Sequence, residues 1–160
     1  LKLLEQPCSA MRERAIAALA QVGLSEKAHE NYLHLSEGQK QLCILARTMV
    51  SDARLLLLDE PESALDFRCR YRMLDIIQKR IHEMNGGAIV TLHDPVLALN
   101  YCDKLVLLWN GTVLDILSPQ EEPLERMEQK LSQLYGLVSL HTVQKRNGKS
   151  LLTMIKEDNE

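Results

Sequence analysis

Two neighbouring carboxylates follow the most apolar run in the chain. Leucines occupy positions 55–58, Asp59 and Glu60 come next, and Pro61 cannot continue a hydrogen-bonded ladder. This run predicts a strand buried on both faces, ending at the sheet edge where α/β proteins usually bind ligands. Successive strand residues point to opposite faces, so one carboxylate could face a hydrated Mg²⁺ and the other a water to be activated. A polar turn would explain the proline. It would not explain why two charges follow an apolar run, where desolvation penalises unpaired charge.

A histidine follows a second apolar segment, at residues 88–92. Between the two segments, apolar side chains recur every three or four residues and predict a helix ended by Gly86 and Gly87; they are Phe67, Tyr71, Leu74, Ile77, Ile81 and Met84. A right-handed β-α-β crossover makes the strands parallel, which brings His93 to the same edge as the carboxylates. A lone histidine there is more often structural, with Asp94 and Pro95 starting the next helix. Its place beside the acidic pair favours a functional role.

A third element that could bind a ligand begins at Ser36. Ser36 and Gln39 precede an apolar-periodic run, so the pattern predicts a helix with a capping box. Gly38 lies in the first turn, where a missing side chain lets a ligand approach the backbone. The free N–H groups and the helix dipole suit a phosphate there. The alternative is an ordinary capped helix with an incidental glycine.

These segments resemble the motifs of ATP-binding cassette (ABC) ATPases. Residues 35–39 are similar to the signature motif, and 55–59 to the Walker B strand with Glu60 as catalytic glutamate. Residues 63–66 resemble the D-loop and His93 resembles the H-loop histidine. All four occur in the family's order and spacing.

The resemblance implies a role for each of these residues. Asp59 would help to hold Mg²⁺, Glu60 would polarise the attacking water, and His93 would contact the γ-phosphate of ATP. Other nucleotide contacts are implied for Ser36, Gly38, Gln39 and Asp66. In the family, the signature motif contacts a nucleotide that is held mainly by the second subunit of a head-to-tail dimer.

Two features depart from the family pattern. Glu37 replaces the first of two glycines, and its carboxylate would repel a nearby phosphate, so we expect it to point away. The sequence also lacks a Gly-x-x-x-x-Gly-Lys-Ser/Thr phosphate loop. Residues 148–150 read Gly-Lys-Ser, but Val143 stands where the first glycine belongs, and Asn147-Gly148 predicts a hairpin turn instead. We therefore expect the chain to be a piece of a longer protein and to be inactive alone.

The composition is typical of a globular protein and argues against several other classes of protein. The chain has 160 residues, of which 46% are hydrophobic and 26% charged, as in ordinary globular proteins. A net charge of −3 argues against nucleic acid as the main partner. The apolar runs fall short of the roughly 18 residues that a membrane span needs. The four scattered cysteines form no Cys-x-x-Cys pair, so they indicate neither a zinc site nor a disulfide framework.

The predicted fold class is α/β, a partial P-loop NTPase of the ABC type with a mostly parallel sheet core. Residues 1–50 are expected to form a helical subdomain with the signature motif. Residues 51–117 form the Walker B, D-loop and H-loop part of the core, in which a hairpin at Asn110-Gly111 extends the sheet. Residues 118–160 are expected to form a C-terminal helix, opened by Pro119 and Pro123, and a β-hairpin.

The leading functional hypothesis is the C-terminal part of the ATPase subunit of an ABC importer. The implied cofactors are ATP and Mg²⁺, the implied partners are a second ATPase subunit and transmembrane permease subunits, and the expected location is the cytoplasmic face of the membrane. Residues 93–103 are similar to importers of iron chelates, haem or cobalamin. The main alternative is a soluble ABC-type ATPase of translation or DNA repair, although nothing here sustains coiled-coil heptads. A third is a regulatory or scaffold fragment, which intact Glu60 and His93 disfavour.

Overall fold

The fold is described from a computed structural model covering residues 7–51 and 53–157. Its elements divide between two compact units, with the boundary between His93 and Asp94. The six strands form three separate two-stranded sheets within the described residues. In that same part of the chain, no helix is both long and apolar enough to cross a membrane. The division into three functional parts stays a prediction.

The first unit begins with packed helices. Helix α1 spans Ser9–Gln21 and helix α2 spans Glu37–Val50, and short 3₁₀ turns lie between them at Ser25–Lys27 and Tyr32–His34. The buried apolar side chains of this region are Ala18, Val22, Leu24, Leu35, Leu45, Ala46 and Met49. The sequence suggests Ser25 as the N-cap of the first of these turns, but Leu24 occupies the N-cap position and makes no side-chain cap hydrogen bond.

The predicted β-α-β unit is confirmed. Strand β1 spans Leu55–Leu58, helix α3 spans Phe67–Met84 and strand β2 spans Gly87–Val90. The strands are parallel, with Leu55 beside Gly87 and Leu58 beside Val90. Helix α3 ends at Asn85, which adopts the left-handed conformation with φ of 47°. The expected glycine pair therefore does not stop the helix, because asparagine tolerates this conformation and Gly87 already belongs to β2.

Strand β1 is buried on one face only, which corrects the expectation of burial on both. Leu56 is 4% exposed, whereas Leu55 is 55% and Leu57 is 70% exposed. On β2, Ile89 is 62% exposed. Burial on both faces needs a covering layer on each side, and the described residues supply that layer on one face of β1 only.

The second unit contains one helix, a hairpin, a second helix and a second hairpin. Its helices are α4, Pro95–Tyr101, and α5, Leu124–Tyr135. Its strands are β3, Leu105–Trp109, β4, Thr112–Leu117, β5, Val138–Gln144, and β6, Ser150–Lys156. The core of this unit is built mainly from Leu99, Leu105, Leu107, Leu117, Met127, Leu131, Val138 and Leu140.

Both predicted hairpins are confirmed, β3 with β4 and β5 with β6. Asn110 and Gly111 have φ of 48° and 76°, as a tight hairpin turn requires. Strands β3 and β4 pair with each other in a sheet of their own, so the prediction that they extend the parallel sheet was wrong. A hairpin signal specifies the partner across the turn and contains no information about the outer edges of the pair. Helix α5 begins after Pro123, so Pro119 does not open it.

Side chains of two helices bind the outer edges of the β5–β6 hairpin. The Asn100 side chain, on α4, donates to the carbonyl of Leu152 at 2.8 Å and accepts from its N–H at 2.9 Å. On the other strand, the N–H of Leu140 donates to Glu128 of α5 at 2.6 Å. These bonds satisfy backbone groups that the hairpin partner cannot reach.

Candidate functional site

Asp59, Glu60, Thr91 and His93 lie together where the two parallel strands end, and we call these four residues the acidic edge. Thr91 links the two strands through its hydroxyl, which donates to Asp59 Oδ1 at 2.6 Å and accepts from the N–H of Glu60 at 2.8 Å. The Thr91 N–H donates to the carbonyl of Leu58 at 3.0 Å and prolongs the parallel ladder by one bond. Thr91 thereby contacts the carboxylate of Asp59, the predicted Mg²⁺ ligand, and the backbone of Glu60, the predicted catalytic glutamate.

The two carboxylates do not alternate as strand residues, which corrects the expectation from strand geometry. Strand β1 ends at Leu58, and Glu60 has a φ of 43°. Left-handed backbone in a residue other than glycine is strained by about 1–3 kcal/mol and is concentrated at functional sites. Here the bend turns the Glu60 carboxylate towards His93, and Glu60 Oε1 lies 2.8 Å from His93 Nε2.

The pairing with Glu60 changes the acid–base behaviour of His93. The hydrogen bond that the protonated His93 ring donates to Glu60 raises the pKa of His93 above its ordinary value, and the charge of Glu60 acts in the same direction. The more distant charges of Glu62 and Asp59 also raise this pKa. Both partners are accessible, since the side chains of His93 and Glu60 are 71% and 47% exposed. The acidic edge therefore offers a protonatable imidazole beside a reachable carboxylate.

A third carboxylate, Glu62, lies next to the acidic edge but is buried, with 2% exposure. Its Oε1 accepts the backbone N–H of His93 at 2.9 Å. Its Oε2 is also buried and has no hydrogen-bond partner among the described residues. No local sequence pattern marks Glu62 or Thr91 as a functional residue, because each acts through a partner about thirty residues away.

The predicted capping box at the start of α2 is confirmed. Ser36 Oγ accepts the N–H of Gln39 at 3.3 Å, and Gln39 Oε1 accepts the N–H of Ser36 at 2.9 Å. The side chain of Glu37 is 79% exposed and pairs with Lys40 at 2.7 Å. The unusual carboxylate of this motif is therefore held at the surface beside a positive charge.

Gly38 allows α2 to approach the turn that follows β1. A Cβ atom on Gly38 would lie 2.9 Å from the carbonyl oxygen of Ala64, which is closer than real Cβ contacts. At the end of that turn, Asp66 Oδ1 accepts the N–H of Cys69 at 2.8 Å and caps α3. Hydrogen bonding to the backbone of Cys69 holds the pKa of Asp66 below its usual range. The nucleotide contacts predicted for Ser36, Gly38, Gln39 and Asp66 stay predictions.

The residues at the acidic edge fit Mg²⁺ held jointly with a nucleotide. No group of three His, Cys, Asp or Glu side chains in residues 7–51 and 53–157 could hold a metal ion by itself. Mg²⁺ keeps several waters and usually binds through one or two carboxylates plus phosphate oxygens. Asp59 is an exposed carboxylate oriented by Thr91, so it could supply such a ligand.

A cavity of about 340 Å³ lies elsewhere in the first unit. It is lined by Tyr32, Cys43, Ile44 and Arg47, none of which belongs to the acidic edge. The acidic edge is instead an exposed surface. A nucleotide bound there would need a further wall to exclude water.

The sequence matches both a protein-family model and individual proteins of known function. Residues 1–63 match the family model described as ABC transporter. The spermidine/putrescine import ATP-binding protein PotA of Borreliella afzelii is 35% identical over 121 residues, which are 76% of this chain and 35% of that protein. The aliphatic sulfonates import ATP-binding protein SsuB 3 of Pseudomonas savastanoi is 39% identical over 124 residues, 77% of this chain and 46% of that protein.

A haem-related relative extends over slightly more of the chain. The hemin import ATP-binding protein HmuV of Vibrio anguillarum is 35% identical over 133 residues, which are 80% of this chain and 50% of that protein. The chain thus spans about a third to a half of the length of these relatives.

Solved structures share the fold. An inward-facing metal-chelate type ABC transporter superposes with a TM-score of 0.81 at 24% identity, over 97% of this chain and 61% of that chain. A dimeric bacterial ABC transporter cassette superposes with a TM-score of 0.66 at 25% identity, over 72% of this chain and 50% of that chain. The predicted fold class is confirmed by this likeness.

Proposed function

Because this chain belongs to the ABC transporter family of ATP-binding proteins, we propose that it carries the hydrolytic residues of an ATPase subunit that drives solute import. The observation that carries the proposal is the acidic edge. Thr91 holds Asp59 and the backbone of Glu60, and Glu60 holds His93, so the three predicted residues form one connected group. Phosphoryl transfer relies on positioning and electrostatic stabilisation, which such a group can provide.

Each residue of the acidic edge has a distinct task in this proposal. Bound Mg²⁺ would neutralise charge on the phosphate oxygens, and Asp59 would be its protein ligand. Glu60 accepts a hydrogen bond from the attacking water and orients it. His93, whose pKa is raised by Glu60, carries a proton more readily near neutral pH and can donate to a phosphoryl oxygen. Thr91 holds the Asp59 carboxylate and the backbone of Glu60 in these positions.

Because the acidic edge is exposed, we infer that its nucleotide site is completed by residues outside this chain. With His93 71% exposed, this chain alone does not exclude water from the reacting groups. The rest of the longer natural chain, with its phosphate loop, and a second ATPase subunit arranged head to tail would together supply the missing wall. Ser36, Gly38 and Gln39 would then act on the nucleotide of that second subunit, where the N-terminal amides of α2 suit a phosphate.

The test is steady-state ATPase activity with and without the natural flanking sequence. We expect residues 1–160 alone to show no measurable turnover, and the longer natural chain to hydrolyse ATP. Glu60→Gln should abolish that turnover because an amide cannot accept the proton of water as a carboxylate does. Glu13→Gln, at an exposed position on α1, is the matched control and should retain activity. Robust hydrolysis by residues 1–160 would refute the expectation that a phosphate loop outside them is required, and hydrolysis by the Glu60→Gln chain would refute the proposal.

We also propose that the subunit works with permease subunits on the cytoplasmic face of the membrane and that the solute is an iron chelate, haem or cobalamin. The similarity of residues 93–103 and the haem-import relative support this choice. Other relatives carry polyamine or sulfonate import names, so the choice needs a direct test. All three relatives named above are import proteins, which does not favour a soluble ATPase of translation or repair.

Growth of a gene-deletion strain of the source organism on different nutrients distinguishes between these candidate solutes. If the solute is haem or an iron chelate, deletion should abolish growth on that compound as sole iron source. If the solute is cobalamin, deletion should abolish cobalamin-dependent growth. Growth on an aliphatic sulfonate as sole sulfur source should continue. A deletion strain that loses only sulfonate growth would overturn the solute assignment.

A further inference from the structure

The buried carboxylate of Glu62 is absent from the tasks assigned to the acidic edge. We propose that Glu62 is a positioning residue, whose buried carboxylate anchors the backbone of His93 so that the imidazole stays on Glu60. The proposal rests on the proposed ATPase function for its catalytic consequence, but its structural claim stands on geometry alone. The anchoring bond joins Glu62 Oε1 to the His93 N–H at 2.9 Å and connects positions 31 residues apart.

Stability alone does not explain a carboxylate at this position. Glu62 is 2% exposed, and its Oε2 is buried without a partner among the described residues. Burying a carboxylate with an unsatisfied oxygen is destabilising, and replacement by an apolar side chain of similar volume is often neutral or stabilising. A residue that violates the rules of stable packing is expected at a functional site.

The turn itself does not need the Glu62 side chain. Main-chain bonds already close it, from the Ser63 N–H to the Glu60 carbonyl at 3.2 Å and from the Leu65 N–H to the Glu62 carbonyl at 3.0 Å. The carboxylate therefore makes its one described hydrogen bond to the residue whose imidazole faces Glu60. What the side chain provides is a connection between the turn after β1 and the loop after β2.

His93 has particular need of a backbone anchor. Its side chain is 71% exposed, so packing contributes little to holding the ring. The ring makes its contact at Glu60 Oε1, and Glu60 is itself held at its N–H by Thr91. Anchoring the His93 backbone at Glu62 gives the loop a second fixed point. Two fixed points define the direction of the imidazole, whereas one would let the loop pivot.

Two substitutions of Glu62 distinguish a role in anchoring the His93 backbone from a role in filling space. Glu62→Leu keeps approximate volume and removes the acceptor, and Glu62→Gln keeps an acceptor at Oε1. We expect the His93 amide of the Leu variant to exchange with deuterium roughly fivefold to tenfold faster than in the wild type. Its melting temperature should equal or exceed that of the wild type. The Gln variant should keep the amide protected. The ¹⁵N shift of His93 Nε2 should move in the Leu variant and stay in place in the Gln variant.

The outcomes that overturn the proposal are equally specific. Unchanged exchange of the His93 amide in the Leu variant would show that the bond does not anchor the loop. If the Leu variant does not fold, exposure of the His93 amide in the Gln variant would overturn it. Neither measurement depends on ATP, so failure of the proposed ATPase function leaves this test intact.

The catalytic consequence is measured in the longer natural chain. Glu62→Leu should lower kcat by roughly tenfold to a hundredfold, as misplaced catalytic groups do, with little change in the KM for ATP. Glu62→Gln should recover most of that loss. A residue with a merely structural role would instead reduce the amount of folded protein and leave kcat per folded molecule unchanged. That result, in a chain that hydrolyses ATP, would overturn the positioning role without touching the proposed function.

Discussion

Adjacent glycines at the start of β2 should respond in opposite ways to the same substitution. A Cβ on Gly86 would lie 2.3 Å from the carbonyl oxygen of Arg54, whereas a Cβ on Gly87 meets nothing within 4 Å. An ordinary C···O contact is roughly 3.3 Å, so Gly86→Ala must separate the two segments by about 1 Å. The same Arg54 oxygen accepts the Gly87 N–H at 2.8 Å, which prevents it from retreating without breaking that bond.

The free-energy difference follows from these contacts. Overpacking is destabilising by about 1–3 kcal/mol, and a lost hydrogen bond adds about 1 kcal/mol. In each alanine variant, the lower conformational entropy of the unfolded chain stabilises the folded state by about 0.4–1 kcal/mol. Gly86→Ala should therefore lower the free energy of unfolding by about 1–4 kcal/mol, and Gly87→Ala should leave it unchanged or slightly higher.

Urea unfolding followed by the amide NMR signal of Leu56 measures the effect. Leu56 lies on β1 in the same compact unit as both glycines, so its signal reports on that unit rather than on the second one. Gly87→Ala is the matched control, one residue away with the same change in composition. Equal stability of the two variants, or a more stable Gly86→Ala, would refute the argument from close approach.

Three further outcomes test the site. Thr91→Val should lower kcat of the longer chain roughly tenfold, since its hydroxyl makes two bonds, while Thr91→Ser should retain activity; equal rates for Val and Ser would contradict this. Because its pKa is raised above 6.5, His93 contributes stability that is complete below pH 6.5 and declines as pH rises through the folded-state pKa. Glu60→Gln should lower that pKa in an NMR titration, and an unchanged value would refute the pairing. Ser36→Ala should lower the free energy of unfolding by about 1 kcal/mol through loss of the N-cap, with Ser36→Thr as control; no thermal shift would contradict it.

Local signals in the sequence were sufficient for elements whose causes are local. The capping box of Ser36 and Gln39, and the hairpin turn at Asn110 and Gly111, each satisfy backbone groups within a few residues. The parallel pairing of β1 with β2 followed from the handedness of the crossover, which also placed His93 beside the carboxylates.

Features that depend on distant partners could not be predicted in this way. One face of β1 is exposed because no other described element covers it. The run of leucines in β1 contains no information about which elements cover the sheet. Glu62 and Thr91 bond across 31 and 32 residues, so no local pattern marks them. The left-handed backbone of Glu60 is likewise accompanied by a hydrogen bond from its N–H to a distant residue, the hydroxyl of Thr91.

The side-chain bonds along the C-terminal hairpin limit what that hairpin can recruit. Asn100 occupies both hydrogen-bonding positions of Leu152, much as a backbone amide of an additional strand would, and Glu128 occupies the outward N–H of Leu140. Edge strands with unoccupied backbone groups are templates for aggregation and peptide addition. Both positions are therefore occupied, so a peptide adding to the β6 edge would have to displace the Asn100 side chain, and one adding to the β5 edge would have to displace that of Glu128.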